Sequence, residues 1–376
     1  MSITYIPPRV PSVEGFLKED GTVPLTGVWN TGNYNIIGPS AIYTSSTAPS
    51  APYTNMLWND TSIATRIMIR RWSGSAWQVV YGYENSSRTI TVVQDHSRVL
   101  SSGIIRNEAF NEIGLFGGID VSVTIEIDNQ TQKNFLNSQA VDAGSGKVKL
   151  PLASGHGFVA GEKVCIDGTV NYDGVFDIDS VEDGYIVIPC SYVSETIPSS
   201  AIVRCTITGS GAYFGPKYTS VIIKAKDYLT ARNQTKSVVF VSAGSYANFV
   251  LRGIAIPSSV RGIKFVSPSG RGLTIMESSK VDVLHCAFDN CMSNGVEGRT
   301  HSACSVECCS FRNCQNSAIS ASYSATIMSK ENQSFADGRY GLYADLGGTI
   351  KKISALQPTG TVANEYANTS RAGQII

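Results

Sequence analysis

Apolar and polar residues alternate along most of this chain in short runs, and Gly, Asn, Asp and Ser punctuate them. Val121 to Ile127 reads Val-Ser-Val-Thr-Ile-Glu-Ile, a period-2 pattern that puts alternate side chains on opposite faces of a strand. Ile67 to Trp72 and Trp77 to Tyr81 are two further runs, and the Ser73-Gly74-Ser75 between them predicts a hairpin. Lys147 to Leu150, Glu162 to Asp167, Val175 to Asp179, Tyr185 to Ile188 and Ala201 to Ile207 follow at close spacing. With Asn171-Tyr172-Asp173-Gly174 as a turn among them, they predict a small closed or sandwiched sheet. No long run keeps the 3.6-residue helical period, and only Asn107 to Gly114 reads as a short helix. The predicted class is all-β.

A longer pattern lies over the C-terminal part. Gly272-Leu273, Gly295-Val296, Ala318-Ile319 and Gly341-Leu342 recur every 23 residues. Phe265, Phe288 and Phe311 keep that interval, with Phe335 one residue late; Val283 matches Val306, Cys286 matches Cys309, and Cys291 matches Cys314. Several columns in one register mark a repeat architecture. A repeat of this length made of short strands predicts one coil of a single-stranded parallel β-helix, its coils stacked about 4.8 Å apart. Phe, aliphatic and Cys columns then become interior ladders. Asn290 and Asn313 become an amide ladder at a bend, where Asn tolerates left-handed backbone. Four coils are legible over 250–349, and Val221 to Ile223, Val238 to Val241 and Phe249 to Leu251 are candidates for earlier ones. Ala355 to Ile376 is polar and poor in repeats, and reads as a cap or a contact between copies of the chain.

Charge narrows the function classes. Lys+Arg and Asp+Glu are both 30 and charged residues are only 16% of the chain, which argues against nucleic acid, whose phosphates need clustered basic side chains. The one tight basic cluster, Arg70-Arg71 beside Arg66, reads as a solvated strand end. No apolar run approaches the roughly 18 residues of a membrane span. The first residues lack the basic and apolar regions of a signal peptide, so the nine cysteines are expected as free thiols made in a reducing cytosol. Six of them lie between Cys286 and Cys314. A metal site from Cys304, Cys308, Cys309, Cys314 and His301 lacks the paired Cys-x-x-Cys spacing, and the 23-residue register explains four of these cysteines as stacked interior thiols. No cofactor is expected.

Three stretches carry a resemblance. Asp20-Gly-Thr-Val-Pro-Leu-Thr-Gly27, followed by Gly32-Asn-Tyr-Asn-Ile36, is similar to an element common in bacteriophage tail fibres, where it lies in the thin, virion-proximal part of a trimer. Met56-Leu-Trp-Asn-Asp-Thr61, with Trp72 and Trp77, resembles a small β-module recurring in tail proteins, except that Asn55 stands where Gly is usual. His156-Gly-Phe158, Gly161-Glu-Lys-Val164 and Gly168-Thr-Val-Asn-Tyr-Asp-Gly174 are similar to a module inserted in many phage structural proteins. The resemblance implies a modular tail fibre or tailspike with a short β-helix. Its parts would be a virion-proximal segment 1–39, a Trp-rich hairpin module 40–83, a connector 84–140, a barrel-like module 141–208, the β-helix 209–349 and a cap or trimer contact 350–376. It implies a homotrimer in the virion tail, attached to tail or baseplate proteins and to a distal fibre protein. The trimer would meet a host surface polysaccharide or envelope receptor, with no membrane insertion. Val23, Pro24, Leu25 and Trp29 are the candidate attachment residues, since so short a segment cannot bury its apolar side chains alone.

Candidate chemistry is sparse. Phage β-helix spikes often cleave polysaccharide, which calls for two carboxylates across a groove. Setting the Phe columns in register places Glu307 and Glu331 on adjacent coils roughly 5 Å apart, with Asp337 above the Asn column. This makes a polysaccharide depolymerase the second reading and a head fibre or carbohydrate-binding virion protein the third. Trp72 and Trp77 are candidate sugar-stacking rings, against their use as a miniature core. His156 reads as a turn histidine, having no nucleophile at a motif spacing.

Overall fold

The computed structural model describes residues 28–31, 34–37, 43–62, 66–84, 87–97, 100–105, 109, 122–209, 211–214, 220–228, 235–242, 249–254, 257–335 and 338–376. Val23, Pro24, Leu25, Asp337 and most of the stretch read as a helix at 107–114 lie outside them. The chain is all-β; the helical elements among the described residues are single turns at Ser102–Ile105 and Thr369–Arg371. It divides into two compact units, Met1–Gly82 and Tyr83–Ile376.

In the first unit, Val28–Thr31 pairs antiparallel with Tyr34–Ile37, with Trp29 opposite Ile36. A four-stranded sheet follows, ordered Tyr43–Ser45, Leu57–Asp60, Arg66–Trp72 and Trp77–Glu84. The Ser73–Ser75 turn closes the expected hairpin, with Gly74 at φ 101° and Ser73 N–H donating to the Ala76 carbonyl at 2.9 Å. Asn55 has φ 69°, so the position where the resembling module carries Gly is left-handed, and Asn is the side chain that best tolerates it.

The second unit is a three-sheet parallel β-helix of six complete coils, with further strands above and below. Its sheets have nine, seven and six strands, and every neighbouring pair in register is parallel. The three earlier runs expected as coils are strands Ser220–Ala225, Val238–Val241 and Phe249–Arg252. The helix also starts earlier than the expected boundary at 209. Arg88–Gln94 and Ser122–Asn129, within the expected connector, pair with each other, and the second also pairs with Ser220–Ala225 in the nine-stranded sheet. At the other end Ala363–Ala367 and Gln374–Ile375 extend two sheets and continue the stack. The sequence period hides these strands because residues 130–206 interrupt the coil after Asn129. Those residues form two four-stranded antiparallel sheets on a common core of Phe135, Val148, Leu150, Val164, Ile166, Ile186 and Val203, the sandwiched sheet predicted.

Inside the helix the predicted ladders are present. Phe240, Phe265, Phe288 and Phe311 pair in register, are all fully buried, and stack with centroids 5.8, 5.3 and 5.1 Å apart. Ser334, not Phe335, continues the column opposite Phe311, so the 23-residue register holds and Phe335 stands beside it. The Gly column follows from these rings. A Cβ on Gly272 would lie 2.7 Å from Phe288 Cδ1, and one on Gly295 the same distance from Phe311 Cδ1. Residue 318 is Ala, and the Phe position of the next coil has become Ser334. Cys286, Cys291, Cys309 and Cys314 are buried free thiols. The bends are left-handed at 23-residue intervals: Gly262, His285, Cys308 and Glu331 at one, and Asn290 and Asn313 at another. There Asn313 Nδ2 donates to Asn290 Oδ1 at 3.0 Å, the amide ladder expected.

Candidate functional site

The inserted sandwich lies against the outer face of the six-stranded sheet. Phe240 and Phe265 point inward there, so period 2 turns Val239, Val241, Lys264 and Val266 outward. Cys165 of the sandwich packs on Val239, Val241 and Val266, and all four are nearly inaccessible, with Val175 beside them. Next to this seam a buried ionic network joins the two parts. Asp167 accepts from Lys264 Nζ at 2.6 Å and from Arg204. Lys264 is also 3.0 Å from Asp289, which is paired with Arg312, and Arg312 reaches Asp173 at 3.4 Å. Three carboxylates thus face three cations. Arg204 and Lys264 are fully buried and Asp167 and Asp289 nearly so.

Burial alone would neutralise these groups, but their partners outweigh it. For Asp167 burial works upward, yet Arg204 and Lys264 hold its carboxyl below the usual carboxylate range. For Lys264 burial works downward, yet Cys165, Asp167 and Asp289 raise it to about 12. The Cys165 thiol is pushed up to about 11, first by burial and then by Asp167.

The seam opens into a cleft of about 710 Å³. The sandwich contributes Lys163 and Val175; the helix contributes Val266, Pro268 and the bend carrying Asn290, Asn313 and Gln315. That volume falls in the range of small-molecule sites, about 300–1,000 Å³. Apolar floor and amide rim together suit a ligand with C–H faces and hydroxyl edges. Each amide offers two donors and an acceptor, and the Asn290–Asn313 bond leaves the rest of that capacity unspent. Lys163, 2.6 Å from Asp177, makes one end of the cleft zwitterionic.

Glu307 and Glu331 stand on adjacent coils, as expected, but one position out of register. Glu307 lies opposite Lys330, 3.6 Å from its Nζ, and accepts from Ser305 Oγ at 2.6 Å. Glu331 occupies the left-handed bend, opposite Cys308, which donates to it at 3.5 Å. Aligning Phe335 with the Phe ladder shifts this coil by one residue; the 23-residue register removes the pairing. A different pair appears. Asp282 stands on the outer face of the nine-stranded sheet opposite Ser305, two residues along from Glu307 on the next coil. Partial desolvation against the sheet and the Glu307 charge hold the Asp282 carboxyl above its ordinary value, with Arg261 opposing. The period-2 alternation in Lys280 to Leu284 was the available signal for Asp282.

The remaining candidates are packed. Trp77 meets Trp58 and Trp72 edge-on, both at 5.4 Å, and Trp58 is buried under the Arg70 guanidinium, itself 2.8 Å from Asp60. Trp58 is thus buried in its sheet, while Trp72 and Trp77 pack around it half-buried. His156 is buried in a turn, where its Nδ1 accepts from the Phe158 N–H at 3.2 Å.

No protein-family model matches the chain, and no curated protein matches it. Among solved structures, the tailspike protein gp49 from Pseudomonas phage LKA1 superposes at 13% identity and a TM-score of 0.22, over 73% of this chain and 52% of its own. The tailspike gp61 of Pseudomonas phage phi297 does so at 10% identity and a TM-score of 0.19, over 71% and 60%. The chain spans between half and two thirds of the length of these tailspikes.

Proposed function

We propose that this chain is a subunit of a bacteriophage tail fibre or tailspike that binds host surface saccharide in the cleft between its inserted sandwich and its β-helix. The observation that carries the reading is the cleft itself: a module of a kind resembling those inserted in phage structural proteins forms one wall, and an amide ladder on a β-helix forms the other. The resemblances at the N-terminus and in the Trp module support placement in the virion tail, attached to tail or baseplate proteins, as a homotrimer. The test is binding of the purified chain to a panel of bacterial surface polysaccharides. A saturable signal that falls at least about tenfold in Asn313→Ala, with the native mass unchanged, supports the reading. Equal binding by wild type and variant removes the cleft from it, and labelling of capsids by an antibody to the chain moves the protein to the head.

A second reading, a polysaccharide depolymerase, is favoured by the raised Asp282 carboxyl facing Glu307. Glycosidic cleavage uses two carboxyls whose environments hold their proton affinities apart, and among the described residues the raised Asp282 is the one such group near a second carboxylate on this face. Release of reducing ends from a bound polysaccharide, abolished by Asp282→Asn, would establish it. If bound polysaccharide keeps its length, the chain is a binder.

A further inference from the structure

The inserted sandwich leaves the β-helix at one narrow neck. Asn129, at the end of its strand, donates through Nδ2 to the Cys205 carbonyl at 3.1 Å and to the Ser237 carbonyl at 2.9 Å. Cys205 N–H donates to Thr131 Oγ1 at 2.8 Å, so the outgoing and returning segments are tied together. Beside the neck stand three side chains from three separate stretches. His96 follows the strand Arg88–Gln94 of the helix, Glu162 opens a strand of the sandwich, and Cys205 ends another. One donor atom from each lies within 4.8 Å of the others.

Several observations point from this cluster to a ligand. Glu162 is 7% exposed; its Oε2 accepts from the Val159 N–H at 2.9 Å, which leaves the buried Oε1 facing, among the described residues, only the other two members of the cluster. Both ring nitrogens of His96 are buried without a hydrogen bond, with Nδ1 3.6 Å from that oxygen. Such groups are rare because an unmade buried hydrogen bond is costly. Gly157, at φ 88°, makes room for the imidazole: a Cβ there would lie 2.7 Å from His96 Cδ2. The Phe158 ring meets the imidazole edge-on at 4.8 Å.

We propose that His96, Glu162 and Cys205 bind a divalent transition-metal ion, zinc being the species that suits mixed nitrogen, oxygen and sulfur ligands. Metal–ligand bonds of about 2.0–2.3 Å around a tetrahedron set donor separations near 3.5 Å, so the cluster needs to contract by about an ångström. Water would complete the fourth position of such a site. On binding, the Cys205 thiol loses its proton to solvent as the sulfur–metal bond forms. The thiolate and the Glu162 carboxylate then cancel the charge of the ion, and imidazole stays neutral. Because the thiol must give up its proton to bind, affinity rises with pH. The ion would bolt the sandwich to the helix at its neck, whatever the cleft holds.

Cobalt reads this directly. The full chain, stripped with chelator and titrated with Co²⁺, is expected to take up one ion and show a thiolate-to-cobalt charge-transfer band. The band disappears in Cys205→Ser. Binding weakens by more than about a hundredfold in His96→Ala, since losses outside the ligand set alone cost roughly 10–100-fold. Zinc competes for the site and slows amide exchange across 130–206. His96 lies in a partly exposed turn, so its variant reports even if Cys205→Ser fails to fold. Absence of a charge-transfer band in wild type, or a band of equal intensity in both variants, overturns the proposal.

Discussion

Asp167 is the residue whose charge is hardest to remove. It touches Lys264 and Arg204, both fully buried, while Asp289 and Asp173 hold Arg312 on the far side. Asp167→Asn keeps the shape and leaves three cations facing two carboxylates, one positive charge unpaired in a dry seam. Breaking a buried pair this way costs about 3–5 kcal/mol, because the abandoned charge keeps its desolvation penalty. Lys264→Met makes the opposite error and is expected to cost a comparable amount. Together the two changes remove both ends of the Lys264–Asp167 contact and bring the charges to two against two, with Arg204 still lacking its own carboxylate. The double variant should therefore be more stable than the sum of the single losses by more than about 1.5 kcal/mol, within the range measured for coupled neighbours. The suitable assay is amide exchange resolved by peptide, since the sandwich can open without the helix. A loss of 4 kcal/mol raises the open population about a thousandfold, an effect confined to peptides from 130–206 and the facing strands. Strict additivity, or a loss below about 1 kcal/mol for Asp167→Asn, would refute the network as the fastening of the sandwich.

The same network sets a pH window. Asp167 is held below its ordinary value of 3.8, so its contribution is complete above that pH and is lost as pH falls toward the lowered value; Lys264, raised from 10.5 to about 12, contributes fully below 10.5 and loses its part toward 12. The buried Cys165 thiol, raised from 9.0 to about 11, adds a loss that begins above pH 9, so amide protection of the sandwich should be flat between 3.8 and 9.0 and decline outside both. Phe288→Ala removes a ring stacked on both sides and should lower helix stability by about 3–5 kcal/mol, measured by urea unfolding. Gly295→Ala should cost about 1–3 kcal/mol by forcing a methyl against Phe311, and Phe311→Leu in the same chain should recover part of it. Trp77→Ala, which breaks two ring contacts, should destabilise the first unit more than Trp72→Ala, which breaks one, as followed by the remaining Trp fluorescence.

The parts of the fold visible in the sequence were those held by short-range repetition. The Phe, Gly, Cys and Asn columns share one interval because each coil stacks on the last, so Asn290 and Asn313 could be paired without coordinates. The first strands were hidden because Val123 pairs with Val221 across an insertion, a separation no period reveals. Phe335 misled for a physical reason: an aromatic one position off a column resembles a slipped repeat, and only the backbone register, with Ser334 opposite Phe311, decides between them. The cleft and the neck cluster were not legible, since His96, Glu162 and Cys205 meet only when the sandwich folds back on the helix.

Because the sandwich leaves and rejoins the helix beside a single asparagine, its two ends are fixed within a hydrogen bond of each other before any of its interior is specified. The coils above and below need those two ends and, on the outer face of the six-stranded sheet, a partner for Lys264 and cover for Val239, Val241 and Val266; the inward ladders do not face the sandwich. Such a chain can exchange the whole cassette, or lengthen it, without re-registering a single coil. If the cleft binds saccharide as proposed, variation in its specificity would concentrate in 130–206 and the facing bend, while the stacked interior stays constant. Selection could act on specificity and on folding almost independently.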